Sequence, residues 1–122
     1  MVVTWTGTKE LDKKLKRILR RTPALKTQFL AQEGEKLISR AKRKTPVDTG
    51  HLRRNWQRGE VEGDSVDVYN NTEYAAHVEF GHRTRGGGGF VPGQFFLRDA
   101  VQELEENFPA DCQKFIAQVM DS

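Results

Sequence analysis

The chain has 122 residues, a length that suits one domain with a single hydrophobic core and leaves no room for a second. Its only cysteine, Cys112, excludes a disulfide-stapled fold and a multi-cysteine zinc module. No run of about 18 apolar residues occurs, and the opening residues carry no apolar stretch of signal-peptide length, so we expect neither a membrane span nor export by that route.

The net charge of +3 conceals a strong asymmetry along the chain. Residues 1–58 hold 16 Lys and Arg against 5 Asp and Glu, a balance of +11, whereas residues 59–122 hold 4 against 12, a balance of −8. Such a division predicts one of two arrangements. The basic half binds a phosphate backbone, or it binds an acidic half in the same chain or in a neighbouring copy.

Two amphipathic helices are predicted in the first third of the chain. From Thr8 to Arg21 the apolar residues recur at helical spacing, and Thr8 can cap the first turn. Thr22-Pro23 then begins a second helix that runs to about Lys44, because proline is favoured at the first helical position. The predicted core stripe of this second helix consists of Leu30, Gly34, Leu37, Ile38 and Ala41.

A structured turn is predicted where the second helix ends. Pro46 pushes the residue before it out of the helical region. The Asp48 carboxylate can accept the backbone N–H of Gly50, and Gly50 can adopt a positive φ. An ordinary connection between a helix and a strand is the alternative interpretation.

An antiparallel hairpin is predicted after this turn. Side chains alternate between two faces over Leu52–Gln57 and again over Val66–Tyr69, which is the pattern of two strands. The connection falls at Glu62–Asp64. Gly59 is expected to mark a bulge in the first strand.

The last third of the chain is predicted to be mostly helical. Residues 74–78 have the spacing of a short helical turn, whereas Gly81–Gly93 has no period and should be a mobile loop. Helical spacing returns over residues 96–104 and again after Pro109, as one kinked helix or two. The predicted fold class is therefore α+β, a single domain in which a small antiparallel β-sheet packs against long N-terminal and C-terminal helices.

No residue pattern indicates a reaction centre. Cys112 lies on a predicted helix, where a half-buried thiol is the expected state, and no nucleophile signature surrounds it. His51, His77 and His82 are not paired at the i, i+4 spacing of a zinc-binding helix. Residues 86–89 lack the strand and the Lys-Ser/Thr helix start of a phosphate-binding loop. We therefore predict no enzymatic activity, no metal and no cofactor.

A basic cluster surrounds the predicted turn and indicates an alternative function. It comprises Arg40, Lys42, Arg43, Lys44, Arg53 and Arg54. Such a cluster is typical of a small nucleic-acid-binding module, with Trp56 as the one aromatic residue near enough in sequence to stack on bases. A solvated basic face, or one neutralised by the acidic C-terminal half, is the other interpretation.

Three segments of the chain form a recognisable pattern. They are Lys44-Thr-Pro-Val-Asp-Thr-Gly-His-Leu52 (the first motif), Asn71-Thr-Glu-Tyr-Ala-Ala-His-Val-Glu-Phe-Gly81 (the second motif) and Pro92-Gly-Gln-Phe-Phe-Leu-Arg-Asp-Ala100 (the third motif). In this order they resemble the minor tail-component family of long-tailed bacteriophages, whose members are viewed as tail-completion or head–tail joining proteins. The resemblance covers roughly residues 30–105, and the glycine-rich stretch Arg83–Gly89 departs from it by lengthening the link to the last helix.

The resemblance implies a set of fold-defining positions and a structural role. The positions are Pro46, Asp48, Thr49, Gly50 and Leu52 in the first motif, Tyr74, Ala75, Val78, Glu79 and Gly81 in the second, and Phe96, Leu97 and Ala100 in the third. The implied protein is a virion component of the phage neck without catalytic residues, present in the host cytoplasm during assembly. It would form a homo-oligomeric ring, hexameric by this resemblance. It would contact the connector or stopper and the tail terminator or tube, with contact to phage DNA left open and no membrane partner.

A ring requires that one face of each copy meets a different face of the next copy. We expect the basic surface to face the acidic C-terminal helix of an adjacent copy through Glu103, Glu105 and Glu106, with pairing inside one copy as the alternative. Glu79 can reach Arg54 or the turn at Asp48, and plain exposure of its side chain is the more ordinary expectation.

Overall fold

The computed structural model describes residues 1–5, 13–45, 50–84, 86 and 88–120. The helices are α1 (Lys13–Arg21), α2 (Pro23–Lys44), α3 (Gly50–Arg54), α4 (Ala75–Phe80) and α5 (Phe96–Met120). The strands are β1 (Val2–Trp5), β2 (Trp56–Glu62), β3 (Ser65–Asn70), β4 (Gly81–Arg83) and β5 (Phe90–Pro92). The predicted α+β class, with small antiparallel sheets and long helices toward both ends, is confirmed.

A three-stranded antiparallel sheet has the strand order β1-β3-β2. The predicted hairpin of β2 and β3 is confirmed, and Gly63 adopts the positive φ of 58° that its turn requires. The register of β2 against β3 shifts between Arg58 and Val61, so the predicted bulge at Gly59 is also confirmed. Strand β1 was not predicted. It pairs along β3, from Val2 opposite Tyr69 to Trp5 opposite Val66.

The two long helices pack against each other and against the sheet. Helix α2 has the predicted bounds, and every residue of its predicted core stripe is buried. Phe29 of α2 lies between two rings of α5, with centroid distances of 5.9 Å to Phe108 and 5.0 Å to Phe115. At Gly34 a Cβ would lie 2.9 Å from the side chain of Arg58, so the missing side chain lets strand β2 approach the helix.

The strand prediction is wrong at Leu52–Arg54, because these residues form helix α3. Asn55 ends the helix, since its backbone N–H donates to the Leu52 carbonyl and its side-chain amide donates to the His51 carbonyl. Three alternating residues cannot distinguish a strand from one helical turn. Gly50 begins this helix and is absent from the glycines with positive φ in the part of the chain that the structure describes. Pro46, Asp48 and Thr49 lie outside the described residues, as does the predicted cap at Thr8.

The prediction of a loop without regular structure is wrong at both ends of Gly81–Gly93. Strands β4 and β5 pair there as a second, two-stranded antiparallel sheet. The Thr84 backbone N–H and hydroxyl both donate to the Gly89 carbonyl, which closes the hairpin. Mobility of the glycine-rich tip stays a prediction.

Helix α5 continues through Pro109, so the C-terminal segment is one helix rather than two. Its apolar stripe contacts α2 on both sides of the proline, and Phe96 in its first turn packs against Trp56 of β2. The buried members are Phe96, Leu97, Ala100, Leu104, Phe108, Cys112, Phe115 and Ile116. Cys112 is fully buried rather than half-buried as expected.

Candidate functional site

The buried carboxylate of Glu79 is the centre of the joint between the second and third motifs. Its side chain is 1% exposed. Its Oε1 accepts the Leu97 backbone N–H at 2.8 Å, and its Oε2 accepts the N–H groups of Leu97 at 3.1 Å and Arg98 at 3.2 Å. These are N–H groups of the first turn of α5, which have no partner within the helix. Glu79 therefore caps α5 from α4, and the negative charge suits the positive end of the helix dipole.

The expectations for Glu79 are wrong in both forms. The side chain is not exposed, and its hydrogen bonds among the described residues go to Leu97 and Arg98 rather than to Arg54, while Asp48 lies outside those residues. Glu79 caps a helix that begins seventeen residues later in the chain. Burial raises the pKa of Glu79, while the two backbone N–H groups oppose that rise by stabilising the charged form. Glu79 therefore acts as a structural cap, because the hydrogen bonds of its carboxylate shown above all come from backbone N–H groups.

The backbone on either side of Glu79 crosses the segment that leads into α5. The Val78 carbonyl accepts the Gln94 N–H at 2.9 Å, and the Glu79 carbonyl accepts the Phe95 N–H at 3.1 Å. Gly81 has a φ of 87°, and a Cβ there would lie 2.5 Å from the Val91 carbonyl oxygen. A Cβ on Gly93 would collide with the Glu79 carbonyl oxygen. Both glycines are therefore needed for the chains to cross at this distance.

The other motif residues are distributed over the core and the surface. Leu52, Ala75 and Ala100 are fully buried, Val78 is half-buried and Tyr74 is exposed. Phe96 packs edge-on against Trp56, with 5.8 Å between the ring centroids. The structure thus brings the second and third motifs together at Glu79, and it joins the first motif to them through the core.

Asn70 is a joint residue that the sequence analysis missed. It is fully buried, its side-chain amide donates to the Leu52 carbonyl at 2.8 Å, and its side-chain oxygen accepts the Thr72 N–H at 3.0 Å. Its own carbonyl accepts the amino terminus of Met1 at 3.0 Å. The available signal was an asparagine at the end of a strand, where its side chain commonly bonds to the main chain two residues on.

Three cations of the predicted basic cluster bind one carboxylate of the same chain. Glu103 Oε1 accepts from Arg40 Nε at 3.2 Å and Arg43 Nη2 at 3.0 Å, and Glu103 Oε2 lies 2.9 Å from Lys44 Nζ. These contacts lower the pKa of Glu103 to about 2, with Lys44 as the largest cause. Glu103 therefore pairs with cations of its own copy, as the alternative interpretation predicted. Glu105 and Glu106 are exposed.

The remaining cations of the cluster do not join this group. Lys42 is exposed on a different face of α2, and Arg53 and Arg54 lie on α3. Trp56, the expected stacking residue, is 4% exposed, and its indole N–H donates to Thr45 Oγ1 at 3.1 Å. The six residues therefore do not form one continuous face with an aromatic platform.

A second group of charges, which contains two buried carboxylates, joins α2 to α5. Lys36 Nζ lies 3.3 Å from Glu33 Oε1 and 3.2 Å from Asp111 Oδ1, and both acids are almost fully buried. Burial is the largest cause that raises the pKa of Glu33 to about 7, and the neighbouring Asp111 raises it further. Glu33 lies inside the helix interface, and Lys36 and Asp111 line a shallow surface depression of about 260 Å³.

The three histidines of the chain contact other aromatic rings. The rings of His77 and His82 stack at 5.2 Å, and His51 lies beside Tyr74, 6.5 Å between centroids. No three His, Cys, Asp or Glu side chains among the described residues are arranged to hold a metal ion. Within the same residues, none of the helices combines the length and the apolar character that crossing a bilayer demands.

The chain matches a known family over more than half of its length. The family model, described as "Bacteriophage HK97-gp10, putative tail-component", matches residues 9–81. The chain belongs to this family. No curated protein and no solved structure matches the chain.

The match places the chain among structural components of bacteriophage tails, and a tail component is part of the virion. As a member of the HK97-gp10-like family, the chain carries the first two motifs within the matched residues, from α1 to the end of α4. The third motif lies beyond the match. It is nevertheless tied to the second motif by the Glu79 cap.

Proposed function

We propose that this HK97-gp10-like protein completes the tail at the head–tail junction by forming a homo-oligomeric ring, without enzymatic activity. The ring would lie at the neck of the virion, after assembly in the host cytoplasm. Its partners would be the connector or stopper on one side and the tail terminator or tube on the other. Family membership supports a structural tail role, and the surface described next supports contacts between subunits.

One observation carries the proposal of a ring: exposed apolar side chains lie on the second sheet and at the end of the helix that precedes it. This hairpin patch consists of Phe80 (60% exposed) at the end of α4 and of Phe90 (61%) and Val91 (41%) on β5. Phe90 lies over Gly81, since its ring atom Cζ is 2.7 Å from the position that a Cβ would take. A two-stranded sheet is marginally stable alone, and Phe90 and Val91, as successive strand residues, place exposed apolar side chains on both of its faces, which marks it as an interaction surface. The hairpin patch is thus suited to pack on a neighbouring copy.

The charge distribution supports a defined orientation of that contact. Glu103 already pairs with cations of its own chain, so the carboxylates of α5 that would pair with cations of a neighbouring copy are those of Glu105 and Glu106. Complementary charges at an interface set orientation and register more than affinity. Reversal of both glutamates to lysine would therefore disturb ring assembly and leave the fold of the single copy intact.

Sedimentation velocity tests the proposal, on the purified chain alone and mixed with tail-tube and connector proteins. The wild-type chain should form a closed oligomer alone or with these partners. Phe80→Ser combined with Phe90→Ser should remain monomeric and keep its melting temperature, because both side chains are exposed. Val2→Ser combined with Met120→Ser is the matched control, since it removes two other exposed apolar side chains. A wild-type chain that stays monomeric with every partner contradicts the proposal.

A further inference from the structure

Helix α1 carries the highest density of positive charge in the described chain. Six of its nine residues are Lys or Arg, and all six are exposed. Its apolar residues Leu15 and Leu19 are buried against the rest of the protein and Ile18 is half-buried, so the fully exposed residues of the helix are all cations. Even with the two acids that precede the helix, residues 10–21 hold six cations against two carboxylates.

Four of these cations form one continuous surface, the basic face of α1. They are Lys13, Lys16, Arg17 and Arg20, and they line a shallow depression of about 250 Å³. Their spacing of i, i+3, i+4 and i+7 places them on one side of the helix. Like charges at these spacings repel one another, so the arrangement costs helix stability that a bound polyanion would restore.

The four cations of the basic face of α1 have no acidic partner among the described residues, whereas all the cations of α2 and β2 other than Lys42 pair with a carboxylate. Elsewhere, Lys26 lies 2.7 Å from Asp64 and Arg58 lies 2.9 Å from Glu35. Arg40, Arg43 and Lys44 share Glu103. Asp64 and Glu103 of the acidic half thus neutralise cations of α2, Glu35 of α2 neutralises Arg58, and the largest group of cations left without a carboxylate among the described residues lies on α1.

We propose that the basic face of α1 binds the phosphate backbone of duplex nucleic acid without reading its sequence. The face spans about 10 Å along the helix, a length over which each strand of a duplex carries about three phosphates. A protein partner is disfavoured, because interface cores are depleted of charge and need aromatic or aliphatic anchors, and this face offers none. A single strand is disfavoured as well, because α1 contains no aromatic residue for base stacking.

The proposed nucleic-acid contact thus lies on α1 and not at the cluster around Arg40–Arg54. Binding through this face does not depend on the proposed ring assembly. It requires binding that is weak, independent of sequence and steeply dependent on salt, since each phosphate contact contributes about 0.9 to the slope of log K against log salt. Four contacts would account for a slope of about 3 to 4.

Fluorescence anisotropy of a labelled DNA duplex, titrated with the full chain between about 50 and 200 mM salt, tests the inference. Replacing Lys13, Lys16, Arg17 and Arg20 together by Gln should weaken binding at least tenfold at the lower salt and reduce the slope by about 3. Replacing Lys42, Arg53, Arg54 and Lys114 by Gln is the matched control, because it removes the same charge from other surfaces. The control should retain most of the affinity and of the slope.

Equal losses in the two variants would overturn the inference, as would a wild-type chain that does not bind the duplex at the lower salt. Binding of polyglutamate as tight as binding of DNA would overturn the choice of partner. Circular dichroism and melting of both variants establish that they are folded, and a variant with Lys13→Arg and Lys16→Arg should bind like the wild type. Sedimentation of the same samples reports ring formation separately, so a failure of DNA binding is distinguishable from a failure of assembly.

Discussion

Glu79 shows how a single residue of the second motif can define the fold. A glutamate between Val78 and Phe80 on a six-residue helix gives no local sign that it is buried. The structure places its carboxylate on the first N–H groups of α5, where it replaces the partners that a helix lacks at its start. Burial disfavours the charged form of Glu79, and those N–H groups favour it.

Removal of this carboxylate should destabilise the protein. We expect Glu79→Ala to lower the free energy of unfolding by about 2 kcal/mol, because it leaves buried N–H groups without an acceptor. Glu79→Gln should cost less, since the amide oxygen can still accept one of them. Urea unfolding at neutral pH measures both values. Glu73→Gln, at an exposed position two residues before α4, should have no effect, and an unchanged midpoint in Glu79→Ala would show that the cap contributes nothing.

At the scale of elements, the path between α4 and α5 depends on two glycines. Gly81 turns the chain from α4 into β4, and Gly93 passes against the Glu79 carbonyl on the way from β5 to α5. Gly81 is the first residue of β4 and Gly93 directly follows β5, so the whole second sheet lies between these two positions. The Glu79 cap can form only because the two segments approach this closely.

Alanine at either glycine should therefore separate the two segments. We expect Gly81→Ala and Gly93→Ala each to lower the free energy of unfolding by about 2 kcal/mol or more, through a strained φ in the first case and a main-chain collision in both. Gly88→Ala is the control, because its Cβ would meet nothing within 4 Å and its φ is not positive. If thermal melting shows that Gly88→Ala lowers the melting temperature as much as the other two substitutions do, the two glycines are not required for the crossing.

At the scale of the whole molecule, α2 and α5 are joined by charges of opposite pH dependence. The pKa of Glu33 is raised to about 7, so between pH 4.5 and 7 the folded state binds more protons than the unfolded state. Stability from this group is complete at the lower pH and is lost as the pH rises through 7. The pKa of Glu103 is lowered to about 2, so its contribution is present above pH 4.5 and is lost as the pH falls toward 2.

The wild-type protein should consequently lose stability between pH 5 and pH 8. We expect a fall of about 2 kcal/mol from Glu33, since one pKa unit corresponds to about 1.4 kcal/mol. Glu33→Gln should flatten this dependence because it removes the titrating proton, while Lys36 and Asp111 remain as its neighbours. Denaturant midpoints at several pH values provide the measurement, with Glu35→Gln as the exposed control. A wild-type curve that rises over this range would contradict the assignment.

The sequence by itself determined those features that depend on neighbours a few residues apart. The core stripe of α2, the β2–β3 turn at Gly63 and the bulge at Gly59 follow from local periodicity and from the conformational freedom of glycine. Family membership follows from the order of short motifs, which a linear pattern records directly. The reading of side-chain alternation as a strand was wrong at Leu52–Arg54, because three residues fit one helical turn as well as a strand.

Only the tertiary structure decided which groups meet across long stretches of chain. Met1 bonds to Asn70 at a separation of 69 residues, Arg40 to Glu103 at 63, and Glu79 to Leu97 at 18. No local propensity encodes such a contact, because it exists only after the packing of α2, α5 and the sheet has brought the two segments together. For the same reason the sequence showed a basic half, and the fold decided that the cations of α2 other than Lys42 pair with carboxylates of the same chain while the cations of α1 are exposed.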